Sequence, residues 1–139
     1  MTARFGDTFY WIALTDSRDS AHRRALELAA EPASSLLVTT DEVLVEFLTF
    51  FGMAPEPIRR KAVGNARSIL RNPGVRVIAQ SRSSLLSGMA LYEARPDKGY
   101  SLTDCISMQT MLREGITDVL TNDRHFEQEG FRALFRDSG

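Results

Sequence analysis

Short apolar runs alternate with longer amphipathic segments along this chain. The run at 36–39 predicts a short buried strand, and the segment 75–78, which alternates and is β-branched, predicts another strand. Two further strands are predicted to end at Gly6 and Thr121, and a last short one to follow Phe131. Apolar residues at helical spacing predict helices over about 20–30, 40–51, 57–71, 81–94, 101–114 and 123–129. Strands that alternate with helices predict an α/β fold, with a central parallel sheet of about four to five strands flanked by helices.

Residues typical of helix ends mark several boundaries. Thr39 and Glu42 have the spacing of a capping box, and so do Ser101 and Asp104. Gly115 is predicted to end the helix that Ser101 begins. These signals predict where the helices start and stop.

The placement of apolar residues predicts the conformation of the remaining segments and which helix faces are buried. The run 9–14 fits either a short buried helix or more strand, and the stretch 32–35 is predicted to break a helix. Helix 57–71 is predicted to have one basic face and one apolar face. The positions predicted to face the core are Ile58, Ala62, Ala66, Ile69 and Leu70 in that helix and Leu85, Met89 and Tyr92 in helix 81–94.

The composition is that of an ordinary globular protein. Of 139 residues, 43% are apolar and 25% are charged, which predicts one domain over residues 1–139. No apolar run approaches the roughly 20 residues that cross a bilayer, and the first residues lack the apolar segment of a signal peptide. The one cysteine, Cys105, excludes an internal disulfide and any multi-cysteine metal site. We therefore expect a cytoplasmic protein.

The net charge of -1 gives the chain no overall basic field that would attract nucleic acid. This argues against tight, sequence-independent binding of a polyanion. It is compatible with an enzyme that reaches phosphate through a metal ion and a local patch.

Four acidic residues occupy places where a parallel sheet would bring them together. Asp7, Glu46 and Asp123 each follow a predicted strand closely, and Asp104 lies at the start of a helix that leads into one. Sites in such sheets form just beyond the carboxyl ends of the strands. Grouped carboxylates repel one another and resist ionising together, and a hard divalent cation removes that conflict. The four acids therefore predict a site for a divalent metal ion.

Each acid taken alone also has a purely structural explanation. Asp7 is suited to cap a following helix, and Glu46 to occupy an exposed position in mid-helix. Asp104 completes a capping box, and Asp123 suits the first turn of a helix capped by Asn122. The case for a metal site depends on all four together.

Other kinds of site find less support in the sequence. His22 and His125 are not paired at a metal-ligand spacing, so a zinc site is not expected, and His125 is interpreted as a structural or surface residue. The chain has no glycine-rich phosphate loop and no Gly-x-Ser-x-Gly elbow. Cys105 is interpreted as a small buried hydrophobe, and Asp97 as a peripheral acid.

At these residues the chain resembles the PIN domain family, and within it the VapC-type toxin ribonucleases of toxin–antitoxin pairs. Asp7-Thr8 before an apolar run is similar to the first family motif, and the segment 38–46, which ends at Glu46, to the second. The segment 101–105, Ser-Leu-Thr-Asp-Cys, matches a specific family signature, and 120–126 is similar to the fourth motif. Tyr100 stands where the close signature often has tryptophan.

The resemblance covers nearly the whole chain, and it implies a PIN fold with Mg²⁺- or Mn²⁺-dependent cleavage of RNA. The ion would activate water and stabilise the leaving oxygen. The metal ligands and catalytic residues would be Asp7, Glu46, Asp104 and Asp123. Candidates to support these ligands or to contact phosphate are Thr8, Ser101, Thr121 and Asn122.

The resemblance also implies a homodimer, and a protein antitoxin that occupies a groove near the acids. Candidate walls of this groove are the apolar helix over 43–51 and the basic helix over 57–71. Two alternatives stay open. One is a PIN-like module that has lost catalysis and only binds RNA or a protein, and the other is a different metal-dependent nuclease or phosphohydrolase of similar layout.

Overall fold

Five strands and seven helices alternate along the residues that the computed structural model describes, which are 3–31 and 36–137. The predicted break at 32–35 lies outside them. In chain order the elements are β1 (Ala3–Gly6), α1 (Thr8–Thr15), α2 (His22–Ala30), β2 (Leu36–Thr40), α3 (Asp41–Phe50), α4 (Glu56–Arg71), β3 (Val75–Ile78), α5 (Arg82–Ala94), α6 (Leu102–Glu114), β4 (Asp118–Leu120), α7 (Arg124–Gln128) and β5 (Arg132–Ala133). Within the described ranges, no helix is long and apolar enough to cross a membrane.

The five strands form one parallel sheet in the order β3-β2-β1-β4-β5. In the centre, Phe5 of β1 is in register with Val38 of β2 on one side and Val119 of β4 on the other. The chain extends the sheet to one side of β1 and then returns to add β4 on the other. The order therefore reverses between β1 and β4, and binding sites in such sheets form at this reversal. The predicted α/β fold with a parallel sheet flanked by helices is confirmed.

The core lies between the sheet and the helices that cover it. Phe5, Val38, Val119 and Leu120 of the three central strands are fully or almost fully buried. Strands covered on both faces tend to be continuous apolar runs rather than alternating ones, and Leu36-Leu37-Val38 of β2 and Val119-Leu120 of β4 fit this rule. The largest side chains buried from the helices include Phe47, Met108, Met111 and Phe126.

The run 9–14 belongs to helix α1. Trp11 in this helix donates its indole N–H to the carbonyl oxygen of Gly6 at 3.2 Å. A Cβ atom at Gly6 would lie 2.9 Å from the Trp11 ring, so glycine is required for this approach. The contact holds α1 against the end of β1 and fixes the position of Asp7 between them.

Helix α3 starts one residue later than the capping box predicted. Thr40 is its cap, and the Thr40 hydroxyl accepts a hydrogen bond from the Val43 amide at 3.1 Å. The Thr39 hydroxyl instead donates to a carbonyl of β1 at 2.8 Å. Glu42 accepts a hydrogen bond from the Ser84 hydroxyl at 2.7 Å, so the predicted Thr39–Glu42 capping box is wrong. Two adjacent threonines offer two possible caps, and because the Thr39 hydroxyl is bonded to β1, Thr40 is the one that caps α3.

Helix α5 exposes the face that was predicted to be core. Leu85, Met89 and Tyr92 are exposed, and the prediction for them is wrong. The helix packs through Ser84 and Gly88, which are buried, and a Cβ atom at Gly88 would overlap the side chain of Ile106 in α6. The two helices approach closely because position 88 has no side chain.

Helix α4 packs as predicted at most positions. Ala62, Ala66 and Ile69 are buried, Ile58 is partly buried, and the predicted core residue Leu70 is exposed. The basic residues on its other face, Arg59, Arg60, Lys61, Arg67 and Arg71, are all exposed.

Candidate metal centre

Asp7 lies where β1 passes into α1, with only 5% of its surface exposed. It occupies the N-cap position of α1 but forms no capping hydrogen bond within the described chain. Instead, its Oδ2 accepts a hydrogen bond from the Thr121 hydroxyl at 2.8 Å. Thr121 Oγ1 in turn accepts from the Asp123 amide at 3.2 Å. One hydroxyl therefore ties the ends of β1 and β4 together.

Glu46 reaches this region from the middle of α3, where it is partly buried. Its Oε1 accepts a hydrogen bond from the Thr8 hydroxyl at 2.5 Å. Thr8 is the first residue of α1 and directly follows Asp7. The two sequence motifs with Asp7 and Glu46 are thus joined by a hydrogen bond between their own residues.

Asp104 serves the start of α6 and faces the other acids at the same time. The Asp104 amide donates to Ser101 Oγ at 3.0 Å, and the Ser101 amide donates to Asp104 Oδ2 at 3.2 Å. This reciprocal pair is the predicted capping box. The structural role and the site position are compatible, because a carboxylate oxygen accepts more than one partner.

Asp123 caps helix α7, and its Oδ1 accepts a hydrogen bond from the His125 amide at 2.8 Å. The alternative in which Asn122 is the cap is wrong, and Asn122 is exposed to solvent. Asp97 lies apart in a turn, with its side chain 75% exposed, and pairs with Lys98 at 3.9 Å.

His125 is the residue that sequence reasoning missed. Its Nδ1 lies 3.5 Å from Asp104 Oδ2 and 3.3 Å from Asp123 Oδ1. Among the described residues, one potential ligand atom each from Asp104, Asp123 and His125 all lie within 4.8 Å of one another. The ring also contacts that of Tyr100, with 5.2 Å between the ring centroids. The position of His125 two residues after Asp123, at a helix start, is the sequence signal that could have found it.

The acids share one electrostatic environment. Burial is the main cause that raises the pKa of Asp7 to about 7, and the charges of Asp104 and Glu46 raise it further, against the hydrogen bond from Thr121. Burial also raises the pKa of Asp104, with Asp123 and Glu46 adding to the effect, while the Ser101 amide and His125 oppose it. Four carboxylates in mutual repulsion are the arrangement that a divalent cation stabilises.

The donor atoms fit such an ion. Carboxylate oxygens are the ligands that Mg²⁺ and Mn²⁺ prefer. His125 Nδ1 is buried beside the carboxylates of Asp104 and Asp123 without a hydrogen bond of good geometry to any described residue, so this nitrogen is available as a further donor atom. The fold and the site together define an α/β protein with an acidic centre that could hold a metal ion, located where the order of its parallel strands reverses.

The chain belongs to the PIN domain family, whose model matches residues 5–131. The solved structure of VapC20 from Mycobacterium tuberculosis, a toxin that cleaves the sarcin–ricin loop, is 26% identical, with a TM-score of 0.83 over 93% of this chain and 96% of that one. VapBC2 from Rickettsia felis, bound to a DNA fragment from its promoter, is 15% identical, with a TM-score of 0.64 over 95% and 96%. This second likeness shows the fold alone. No curated protein matches the chain. The resemblance that the motifs predicted is confirmed.

Proposed function

We propose that this protein is a metal-dependent endoribonuclease that cleaves RNA phosphodiesters, and that it acts in the cytoplasm as the toxin of a toxin–antitoxin pair. The observation that carries the proposal is the group of four interacting carboxylates, at the carboxyl ends of β1 and β4 and on α3 and α6, in a PIN domain. The likeness to VapC20, which cleaves an RNA loop, supports RNA as the substrate.

The proposed ligands of Mg²⁺ or Mn²⁺ are Asp7, Glu46, Asp104 and Asp123, directly or through water. A divalent ion held by such residues activates water for attack and stabilises charge on the leaving oxygen. The Thr121 hydroxyl keeps Asp7 and Asp123 at a fixed separation, and the Thr8 hydroxyl orients Glu46. Because the pKa of Asp7 is about 7, its carboxyl is half protonated near neutral pH in the metal-free protein and releases that proton when a cation binds.

The decisive experiment measures cleavage of RNA, DNA and a phosphate monoester by the wild type and three variants. Asp7→Asn and Asp104→Asn should each lower RNA cleavage by at least about 100-fold, because the metal supplies several kcal/mol of transition-state stabilisation. Asp97→Asn, a change at an exposed acid outside the cluster, should cleave like the wild type. EDTA should abolish the activity, and Mg²⁺ or Mn²⁺ should restore it.

Three results would contradict the proposal in different ways. If Asp7→Asn and Asp104→Asn cleave normally and EDTA has no effect, the metal mechanism is wrong. Binding of RNA by a wild type that cleaves nothing with either ion would indicate a module that has lost catalysis. Preference for DNA or for the monoester would indicate a different metal-dependent phosphohydrolase.

The proposed antitoxin site lies on α3 and α4. Val45 and Phe50 of α3 and Met53 in the turn that follows are exposed apolar residues, and α4 exposes its basic face nearby in the chain. An amphipathic segment with acidic residues fits this combination. Co-expression with the product of the neighbouring reading frame should yield a complex that Phe50→Asp disrupts. Leu112→Asp, at an exposed apolar position on α6, should leave the complex intact.

The proposed homodimer would use the exposed apolar stripe of α5. Arg82 and Glu93 lie at opposite ends of this stripe, so two copies of α5 packed antiparallel would place Arg82 of each beside Glu93 of the other. Light scattering should report a dimer for the wild type and a monomer for Met89→Glu. Leu112→Glu should remain a dimer. The stripe consists of Leu85, Leu86, Met89 and Tyr92.

A further inference from the structure

His125 directs a buried nitrogen at the acidic centre, and the surrounding protein leaves that nitrogen without a hydrogen bond. The distances from Nδ1 to the nearest carboxylate oxygens are 3.3 Å for Asp123 and 3.5 Å for Asp104. N–H···O hydrogen bonds usually measure about 2.9–3.0 Å, and Nδ1 forms none with any described residue. Both contacts are longer than a usual hydrogen bond, although the one to Asp104 helps to lower the pKa of that carboxyl, so the two carboxylates hold Nδ1 only loosely and the nitrogen can accept a further partner.

We infer that His125 Nδ1 is a direct ligand of the metal ion, and that this nitrogen makes the centre prefer Mn²⁺ over Mg²⁺. The inference rests on the proposed function, because it concerns the same ion. Mn²⁺ shares the preference of Mg²⁺ for carboxylate oxygens, but as a transition ion it also accepts the imidazole nitrogen that is a common metal ligand in proteins, whereas Mg²⁺ keeps oxygen ligands and waters. A centre of carboxylates with one imidazole therefore discriminates between two ions that a purely acidic centre would treat more equally.

The arrangement of the three donor atoms supports a shared ion. One ligand atom from each of Asp104, Asp123 and His125 lies within 4.8 Å of the other two. Neighbouring ligands of an octahedral ion, each about 2.1 Å from it, lie about 3 Å apart. His125 Nδ1 lies 3.3 Å from Asp123 Oδ1 and 3.5 Å from Asp104 Oδ2, which is close to that value.

The imidazole is held in place before any ion binds. The His125 amide donates to Asp123 Oδ1, so the ring and that carboxylate belong to one turn of backbone. The ring also packs against Tyr100, whose hydroxyl donates to Glu129 at 2.7 Å. Glu129 pairs with Arg95 at 3.0 Å, which fixes the tyrosine. A ligand whose rotamer is already restricted binds metal with little reorganisation.

The test uses untagged full-length protein loaded with Mn²⁺ and observed by electron spin-echo envelope modulation. The chain has only two histidines, His22 and His125, so an imidazole nitrogen coupled to Mn²⁺ has few possible sources. The wild type should show ¹⁴N coupling, and His125→Ala should lose it. His22→Ala is the matched control and should keep it, because His22 Nδ1 contacts the Ala13 carbonyl at 2.7 Å instead.

Titration calorimetry with each ion gives a second, independent readout. Loss of an outer partner of a metal ligand already costs about 10- to 100-fold in affinity, so His125→Ala should bind Mn²⁺ at least about tenfold more weakly. Its affinity for Mg²⁺ should change less. His125→Gln, which keeps a polar side chain of similar reach, and circular dichroism of every variant separate loss of a ligand from loss of folding.

The outcomes distinguish this inference from the proposed function. Nitrogen coupling that disappears only in His125→Ala supports it. A wild type that binds Mn²⁺ and cleaves RNA without nitrogen coupling overturns it and leaves the ribonuclease proposal standing, with His125 donating a hydrogen bond to the carboxylates. A wild type that binds neither ion overturns both. Equal losses of Mn²⁺ and Mg²⁺ affinity in His125→Ala overturn the preference.

Discussion

Replacement of Asp7 by asparagine should stabilise the metal-free protein at neutral pH, although it removes a proposed ligand. Burial, with the charges of Asp104 and Glu46, raises the pKa of this carboxyl from 3.8 to about 7. In the unfolded chain the group is solvated and ionises near 3.8. Above that pH, folding must either take up a proton or bury a charge among other acids, and both oppose folding.

The size of this effect follows from the two pKa values. A tenfold change in proton affinity corresponds to about 1.4 kcal/mol, so the difference between 3.8 and about 7 amounts to about 4 kcal/mol at neutral pH and above. Between the two values the native state binds more protons than the unfolded state, so Asp7 lowers the free energy of unfolding as pH rises through this window. The asparagine side chain of the variant is neutral throughout, and its amide oxygen can still accept the hydrogen bond from Thr121. The buried amide N–H₂ group costs about 1–3 kcal/mol if it stays unpaired.

The assay is urea unfolding in EDTA at pH 5 and pH 7.5, followed by circular dichroism. Asp7→Asn should be about 1–3 kcal/mol more stable than the wild type at pH 7.5, after the amide cost is subtracted. At pH 5 the advantage should shrink. Asp97→Asn, at an exposed acid, is the control and should change little. Excess Mn²⁺ should stabilise the wild type and not Asp7→Asn. The reasoning is refuted if Asp7→Asn is no stabler than the wild type at pH 7.5 while wild-type stability is flat between the two pH values.

Two further substitutions test the supports of the centre and the packing of α5. Thr121→Val removes the hydroxyl that joins Asp7 to the Asp123 amide, so it should lower kcat/KM for RNA by about tenfold and the free energy of unfolding by about 1 kcal/mol. Thr117→Val, at an exposed position, is the control. Unchanged kinetics in Thr121→Val would exclude this role. Gly88→Ala should destabilise the protein by about 1–3 kcal/mol in urea, because the added methyl group overlaps Ile106. Gly64→Ala, on the open surface of α4, should instead stabilise by up to about 1 kcal/mol, and the reverse order would contradict the packing argument.

The order of strands and helices could be predicted because it depends on local patterns. Strand β2 begins as a short apolar run, β3 is a β-branched segment that alternates, and helices such as α6 begin and end at residues that cap them. The assignment of 9–14 to a helix could not be predicted, because a run buried on all sides has no amphipathic period. In the structure the run is helical, and Trp11 packs against Gly6.

The error at α5 has a different cause. Leu85, Met89 and Tyr92 form a regular apolar stripe. Periodicity shows that a helix has such a stripe, but it does not show whether the stripe is buried against the rest of the protein. In the structure, the small residues Ser84 and Gly88 make the contact with α6. Small residues contribute little to a hydrophobic pattern, so close helix packing of this kind leaves almost no trace in the sequence.

The four acids could be chosen from the sequence because they follow strands or begin helices at family motifs. Their assignment as ligands and catalytic residues stays a prediction that the proposed assays test. His125 was not chosen, because its closeness to Asp104 depends on how α7 packs near α6, and its position two residues after Asp123 was the one signal that the sequence offered. The helix caps suggested at Thr39 and Asn122 were wrong for a related reason. Each has a polar neighbour, Thr40 or Asp123, that can cap the helix equally well, and only the folded structure shows that the neighbour is the cap.

The hydrogen bond between Thr121 and Asp7 joins residues 114 positions apart. At a translation rate of about 5–20 residues per second, the ribosome makes Thr121 about 6 to 23 s after Asp7. During that interval β1 lacks the neighbour β4 that carries the other half of the centre. A nascent chain, or one that terminates before β4, therefore has no assembled nuclease centre. A protein that attacks RNA would in this way be harmless to the messenger and the ribosome that are producing it until β4 has been made and has paired with β1.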